Sequence, residues 1–153
     1  IPDWLKFPEL RFINRYDWIP VVIWAASFYL LGEWAWFSAI TGMTGMMTFI
    51  WGFIVPTIIL YHATFAVNSL THLWGKKRFD TGDESRNNSW VALFTFGEGW
   101  HNNHHFFPGS ARQGFFKGEL DLTYIGLRIL SVFGLVSDLR PVPEWVKKKA
   151  IDQ

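Results

Sequence analysis

Cysteine is missing from all 153 residues, which excludes a disulfide framework, a thiolate zinc site and an iron–sulfur cluster. Any metal held by this chain must therefore be bound by nitrogen and oxygen. A charge excess of one sign is missing too. Fourteen Lys and Arg stand against thirteen Asp and Glu, so no basic field is available for nucleic acid. From Met46 to Val67 there is no Asp, Glu, Lys or Arg, and an apolar stretch of that length suits a bilayer core about 30 Å thick. No internal repeat and no low-complexity segment is present, and no basic n-region precedes a short apolar core, so no signal peptide is visible. The chain opens on Ile1 rather than Met and reads as a piece of something longer.

What is present is apolar and aromatic. Half the residues are hydrophobic and ten are Trp, as in a membrane protein with aromatic belts at the interfaces. Residues 1–17 carry Lys6, Arg11 and Arg15 among aromatics and read as an interfacial approach. Residues 18–40 form the first expected transmembrane helix, apolar except for Glu33, whose carboxylate is expected to snorkel to water near the far turn. Residues 44–67 form the second. Pro20 is tolerated near a helix start, and Pro56 is expected to kink the second helix. A tight turn makes the spans antiparallel, and basic residues flank both outer ends (Lys76, Lys77 and Arg78 after the second span). The positive-inside rule then places both ends in the cytoplasm.

Residues 68–153 are expected to be a cytoplasmic helical region. Asp80 to Asn88 is a polar loop with helix N-cap candidates Ser85, Asn87 and Asn88. Trp90 to Trp100 reads as a helix leading into the histidines. Leu122 to Val136 reads as a helix lying on the membrane surface or packed on the soluble part, and Lys147, Lys148 and Lys149 suit anionic headgroups. The expected fold class is all-α: a transmembrane helical hairpin in an integral membrane protein, followed by a cytoplasmic helical region with a histidine-rich metal site.

All five histidines lie between positions 62 and 105. His101, His104 and His105 stand at i, i+3 and i+4, on one face of a helix, and can converge on a metal without bending the backbone. Imidazoles suit Fe, Zn, Cu or Ni, and three of them do not choose among these. Asn68 and His72 share a helix face at the end of the second span, where polar groups are costly and often functional. His62 lies about 15 Å along the helix from His72, and about 80° off that face, so it is expected to be buried or to line a cavity. Glu98, three residues before His101, is a candidate carboxylate partner for a ligand histidine. Arg78, Asp80 and Arg86, with Asp83 and Glu84, are candidates to grip a polar headgroup.

The succession Asn68-Ser69-Leu70-Thr71-His72-Leu73-Trp74-Gly75, the loop through Arg78-Phe79-Asp80 and Ser85-Arg86-Asn87, and Gly97-Glu98-Gly99-Trp100-His101-Asn102-Asn103-His104-His105-Phe106-Phe107-Pro108 resembles the membrane acyl-CoA (stearoyl-CoA, delta-9 type) fatty acid desaturases. Gly109 to Gln113 and Asp121-Leu122-Thr123 resemble the bacterial branch. The resemblance covers essentially the whole chain. It implies a di-iron centre that uses O2 and two external electrons on a fatty acyl-CoA or acyl-lipid. It further implies that His72, His101 and His104 ligate one iron and His105 the other, with Asn68 reaching its iron through a water.

The family's two earlier histidine boxes, HxxxxH-like and HxxHH-like, do not occur in these residues. The chain is therefore expected to be the C-terminal part of a desaturase, its iron site completed by upstream histidines. Electrons would come from a separate cytochrome b5-like or ferredoxin-like donor. A related histidine-box hydroxylase and a non-catalytic membrane metal-binding or transport protein are the competing readings.

Overall fold

The computed structural model describes residues 4–151; the first three residues of the interfacial approach and the last two of the chain lie outside the described residues. The chain divides into two compact units, with the boundary between Leu60 and Tyr61.

In the first unit a short 3-10 turn, Trp4–Lys6, precedes α1 (Pro8–Arg15), which starts with proline in its first turn, where the missing N–H costs nothing. The expected first span is broken. α2 (Trp18–Glu33) ends at Trp34, which is extended (φ −70°, ψ 116°), and α3 (Ala35–Thr41) leaves at 72° to it. α4 (Gly45–Phe49) packs against α2. Gly32 stands against Thr44, Gly45 and Thr48, while Gly52 stands against Phe28, so the two segments run antiparallel with small residues at the crossing. α2 and α4 thus form a helical hairpin, in which the expected first span is bent at Trp34.

Glu33 is exposed and also has a protein partner across the turn. Its Oε1 accepts from the Gly45 N–H at 3.0 Å, so the carboxylate sits at the N-terminus of α4, where the first amides lack partners and favour negative charge. The Thr44 hydroxyl accepts from Met47 N–H at the same helix start.

A π-helical turn, Ile50–Ile54, continues α4 into α5 (Val55–Leu73). Val55 N–H bonds to Ile50 O, five residues back, immediately before Pro56. The wider turn accommodates the proline, whose ring would collide with the carbonyl four residues earlier and which has no N–H to give. Gly45–Leu73 as a whole is one helix long and apolar enough to cross a membrane, and the bent pair α2 and α3 is a second if counted as one span. The unit boundary falls within α5.

In the second unit, α5 ends at Leu73, and the following segment is clipped back by paired bonds between Lys76 and Asn87 at 2.9 and 2.8 Å. α6 (Ser89–Phe94) starts at Asn88, whose Oδ1 accepts from Trp90 and Val91 N–H. Of the three expected caps, Asn88 fills that role.

The expected helix from Trp90 to Trp100 stops at Phe94. Phe96 (φ 57°) and Gly97 (φ 125°) turn the chain, and Gly99 packs against the start of α6 so closely that a Cβ there would meet Ala92 and Asn88 backbone. α7 (His101–Phe106) then carries the histidines. α8 (Leu122–Val132) is capped by Asp121 and ends four residues before the expected Val136, because Gly134 (φ 69°) lets Leu135 N–H close on Leu130 O. α9 (Glu144–Lys147) places Val146 in a core with Phe79 and Phe115, where Phe79 stacks on Phe106 at 4.3 Å. This small aromatic core lies under α7.

Candidate metal centre

α7 is a helix of buried asparagines as much as of histidines. Asn102 and Asn103 are both fully buried, and a buried amide must find partners for both its oxygen and its NH2. Asn102 Oδ1 accepts from the Arg78 and Phe79 N–H groups at 2.8 and 2.7 Å, and its Nδ2 donates to Phe79 O at 2.9 Å. It also donates toward the Thr81 and Ser85 hydroxyls at 3.4 and 3.3 Å. Asn103 Oδ1 accepts from Asn87 Nδ2 at 2.6 Å, while its Nδ2 donates to Gln113 O and Glu119 Oε2, both at 2.9 Å. The two amides hang the loop of residues 78–87 and the segment of residues 113–119 from the histidine helix. Asn102→Ala would leave the Arg78 and Phe79 amides without an acceptor, at about 1–3 kcal/mol each. Thermal unfolding of the detergent-solubilised variant is expected at a clearly lower temperature.

With α7 held in this way, its histidines meet the last turn of α5. His72 Nε2 lies 3.2 Å from His101 Nε2. The His101 and His105 rings are 4.3 Å apart, and His105 is 5.6 Å from the His72 ring. One ring nitrogen from each of His72, His101 and His105 lies within 4.8 Å of the others. Two imidazole nitrogens each bound at about 2.1 Å to one ion sit about 3 Å apart at right angles, so the observed pair fits a shared metal. A hydrogen bond between neutral imidazoles would account for His72 and His101 alone, but not for the third ring converging on them.

His104 is not in this group. The resemblance puts it with His72 and His101 and sets His105 apart; here the His105 ring is the one that lies nearer to His101. The reason is helical phase: His105 lies about 40° round the helix from His101, whereas His104 lies about 60° the other way. The His104 ring is 6.4 Å from that of His101. His62 is exposed on α5 and outside the cluster, which leaves the cavity-lining alternative of the two expected for it. Asn68, also on α5, is exposed and donates to Thr64 O at 2.9 Å.

Electrostatics favour the neutral form of His101 and His104. Burial first, then the neighbouring rings of His105, His72 and His104, push the His101 pKa down to about 4. Burial likewise lowers that of His104, against the opposing charge of Glu98. A neutral imidazole is the form that binds a metal.

Two carboxylates act on the histidines. Glu98 accepts from Gln113 Nε2 at 3.0 Å, and its charge acts on His104 rather than on His101. Asp83 is the carboxylate in contact, its Oδ2 lying 2.6 Å from His105 Nδ1. Hydrogen bonds from Ser85, Thr81 and His105, with Ser85 the largest, hold the Asp83 pKa below the usual carboxylate range. Glu98→Gln is expected to lower turnover less than loss of any ligand histidine, within the 10–100-fold range typical of outer partners. Product per milligram beside iron content measures it.

Among the headgroup candidates, Arg78 pairs with buried Glu119 at 3.4 Å and lies 4.6 Å over the Phe116 ring. Arg86 pairs with Glu84 at 3.3 Å. Asp80 is exposed and accepts from Gly82 N–H.

Three imidazoles converge in a helical chain without cysteine that carries one helix long and apolar enough to cross a membrane, a set that could hold a metal ion through nitrogen. The comparisons sharpen this. The fatty acid desaturase profile matches residues 1–113. A probable chloroplastic lipid desaturase of Arabidopsis thaliana is 36% identical over 152 residues, covering 99% of this chain and 39% of that protein. The sn-2 palmitoyl-lipid 9-desaturase of Nostoc is 34% identical, covering 93% of this chain and 46% of that protein. The acyl-CoA C20 delta-5 desaturase of Anemone leveillei is 37% identical, covering 96% and 43%. The chain belongs to the fatty acid desaturase family, and it spans 39–46% of the length of these relatives.

Proposed function

We propose that the chain is the C-terminal part of a membrane di-iron fatty acyl desaturase of the delta-9 type, with its metal site on the cytoplasmic side. The observation that carries this reading is the convergence of His72, His101 and His105 from two separate segments in a chain of the desaturase family. These three are the protein ligands of one iron, with Asn68 reaching it through a water. His104, on the flank of the same helix, serves the second iron, which upstream histidines complete.

When bound, the irons supply O2-dependent removal of two hydrogens from neighbouring carbons of an unactivated chain. The reaction balances with two electrons from a separate donor and two protons, giving a cis double bond and two waters. The chain's own residues favour the neutral form of His101 and His104, and the buried Asn102 and Asn103 fix α7 against the loop that precedes α6. Arg78, Asp80 and Arg86 supply charge for a polar headgroup, the two arginines exchanging their present carboxylate partners when it binds.

Relatives named as lipid desaturases and as acyl-CoA desaturases are similarly close, so the acyl carrier is the finer question. Expression of the full-length protein in a desaturase-deficient host, followed by double-bond location separately in the acyl-CoA and glycerolipid pools, tests the reading. A new cis double bond supports it; an added hydroxyl, or iron binding without product, contradicts it.

A further inference from the structure

We infer that Asp83 is the positioning residue for His105, fixing its tautomer so that Nε2 is left free for the metal. The inference rests on the metal-centre reading above and extends it to a residue outside the ligand set. Asp83 has two distinct oxygens. Oδ2 lies 2.6 Å from His105 Nδ1. Oδ1 accepts from the Ser85 N–H at 2.8 Å and from the Thr81 hydroxyl at 2.7 Å. With Oδ1 taken up by two donors, Oδ2 is left to accept from His105 Nδ1–H, and Nε2 is the ring nitrogen that remains for a metal. The site for Asp83 is built. Ser85 is fully buried, its hydroxyl lies 3.1 Å from that of Thr81, and both hydroxyls face the Nδ2 of Asn102. Asn102 sits in α7 itself, two residues from His104 and three from His105. The helix that carries the histidine thus also anchors the loop that orients it.

The arrangement makes an isosteric test unusually sharp. In Asp83→Asn, the amide oxygen must remain at the Oδ1 position, because the Ser85 N–H needs an acceptor there. The NH2 then faces His105 Nδ1 and donates to it. His105 is driven to the tautomer with its proton on Nε2, where it can no longer bind metal. The loop keeps its bonds while the ligand is lost. Thr81→Val is the control: it removes one bond to Asp83 and leaves the His105 contact intact.

Both variants are made in the full-length protein and read in two ways. Iron per chain is followed over time with a chelator present, and histidine 15N shifts are recorded on the metal-free protein. Asp83→Asn is expected to lose iron at least about tenfold faster than wild type, as for outer partners of ligand histidines, and to move the His105 proton from Nδ1 to Nε2. Thr81→Val should retain iron like wild type, and Asp83→Glu should recover part of the retention. Unchanged iron retention in Asp83→Asn, or an Nδ1 proton still present on His105, overturns the inference while leaving the metal centre standing. Wild-type protein that holds no iron overturns both.

Discussion

Alanine at His72, His101 or His105 in the full-length protein is expected to abolish desaturation and to strip iron from the centre. Each imidazole is one of three converging nitrogens, so its loss changes both the geometry and the charge presented to the metal. Removing even an outer partner of a ligand costs about 10–100-fold, and removal of a ligand exceeds that. Product should fall below detection. His104→Ala is expected to abolish product as well, by emptying the second site. His62→Ala should retain substantial activity, because His62 stands exposed outside the cluster. Iron content and double-bond formation, measured on the same preparations, check the series. An indispensable His62 beside a dispensable His72 would contradict the face assignment on α5.

The second large effect concerns the length of the chain. Expressed alone, these 153 residues are expected to bind iron weakly and to form no product. Three of the four ligand histidines would serve one iron and one the other, and metal affinity follows ligand count and a preformed site. The chain spans 39% of the first relative described above, and the proposed reading draws the remaining iron ligands from outside these residues. Co-expression with an N-terminal segment carrying both missing histidine boxes should restore iron and some activity. Two tightly held irons in the isolated chain would show that the half-site reading is wrong.

The histidine helix and the hairpin were legible because periodicity and absence of charge are strong signals. His101 and His105 at i, i+4 are sufficient for convergence, and Gly42 with Gly45 marks a turn whatever the environment. What the sequence hid were decisions taken by tertiary contact. Glu33 reads as a lone carboxylate in an apolar run, yet Gly45 offers it an unpaired amide from across the hairpin. The helix expected through Trp100 reads as continuous because Phe94 and Phe96 extend the apolar run. The left-handed turn at Phe96 and Gly97 ends it, and only the Gly97-Glu98-Gly99 spacing hinted at that.

Asp83 was grouped with the other loop charges, since nothing local distinguishes it from Asp80 or Glu84. Its contact with His105 spans 22 residues. The doubled asparagine was the signal left unread: two consecutive amides beside ligands in a chain this apolar must either face water or be fully satisfied inside. The same fineness separates His104 from His105. Both lie near His101 on one helical face, and only the position of α5 decides which of them meets His72.

That grouping is the most direct point of test. Iron anomalous scattering from crystals of the full-length protein locates each metal independently of any activity. The account predicts one iron bound by His72, His101 and His105 together, and a second bound by His104. An iron shared by His72, His101 and His104, with His105 on the other, would contradict it.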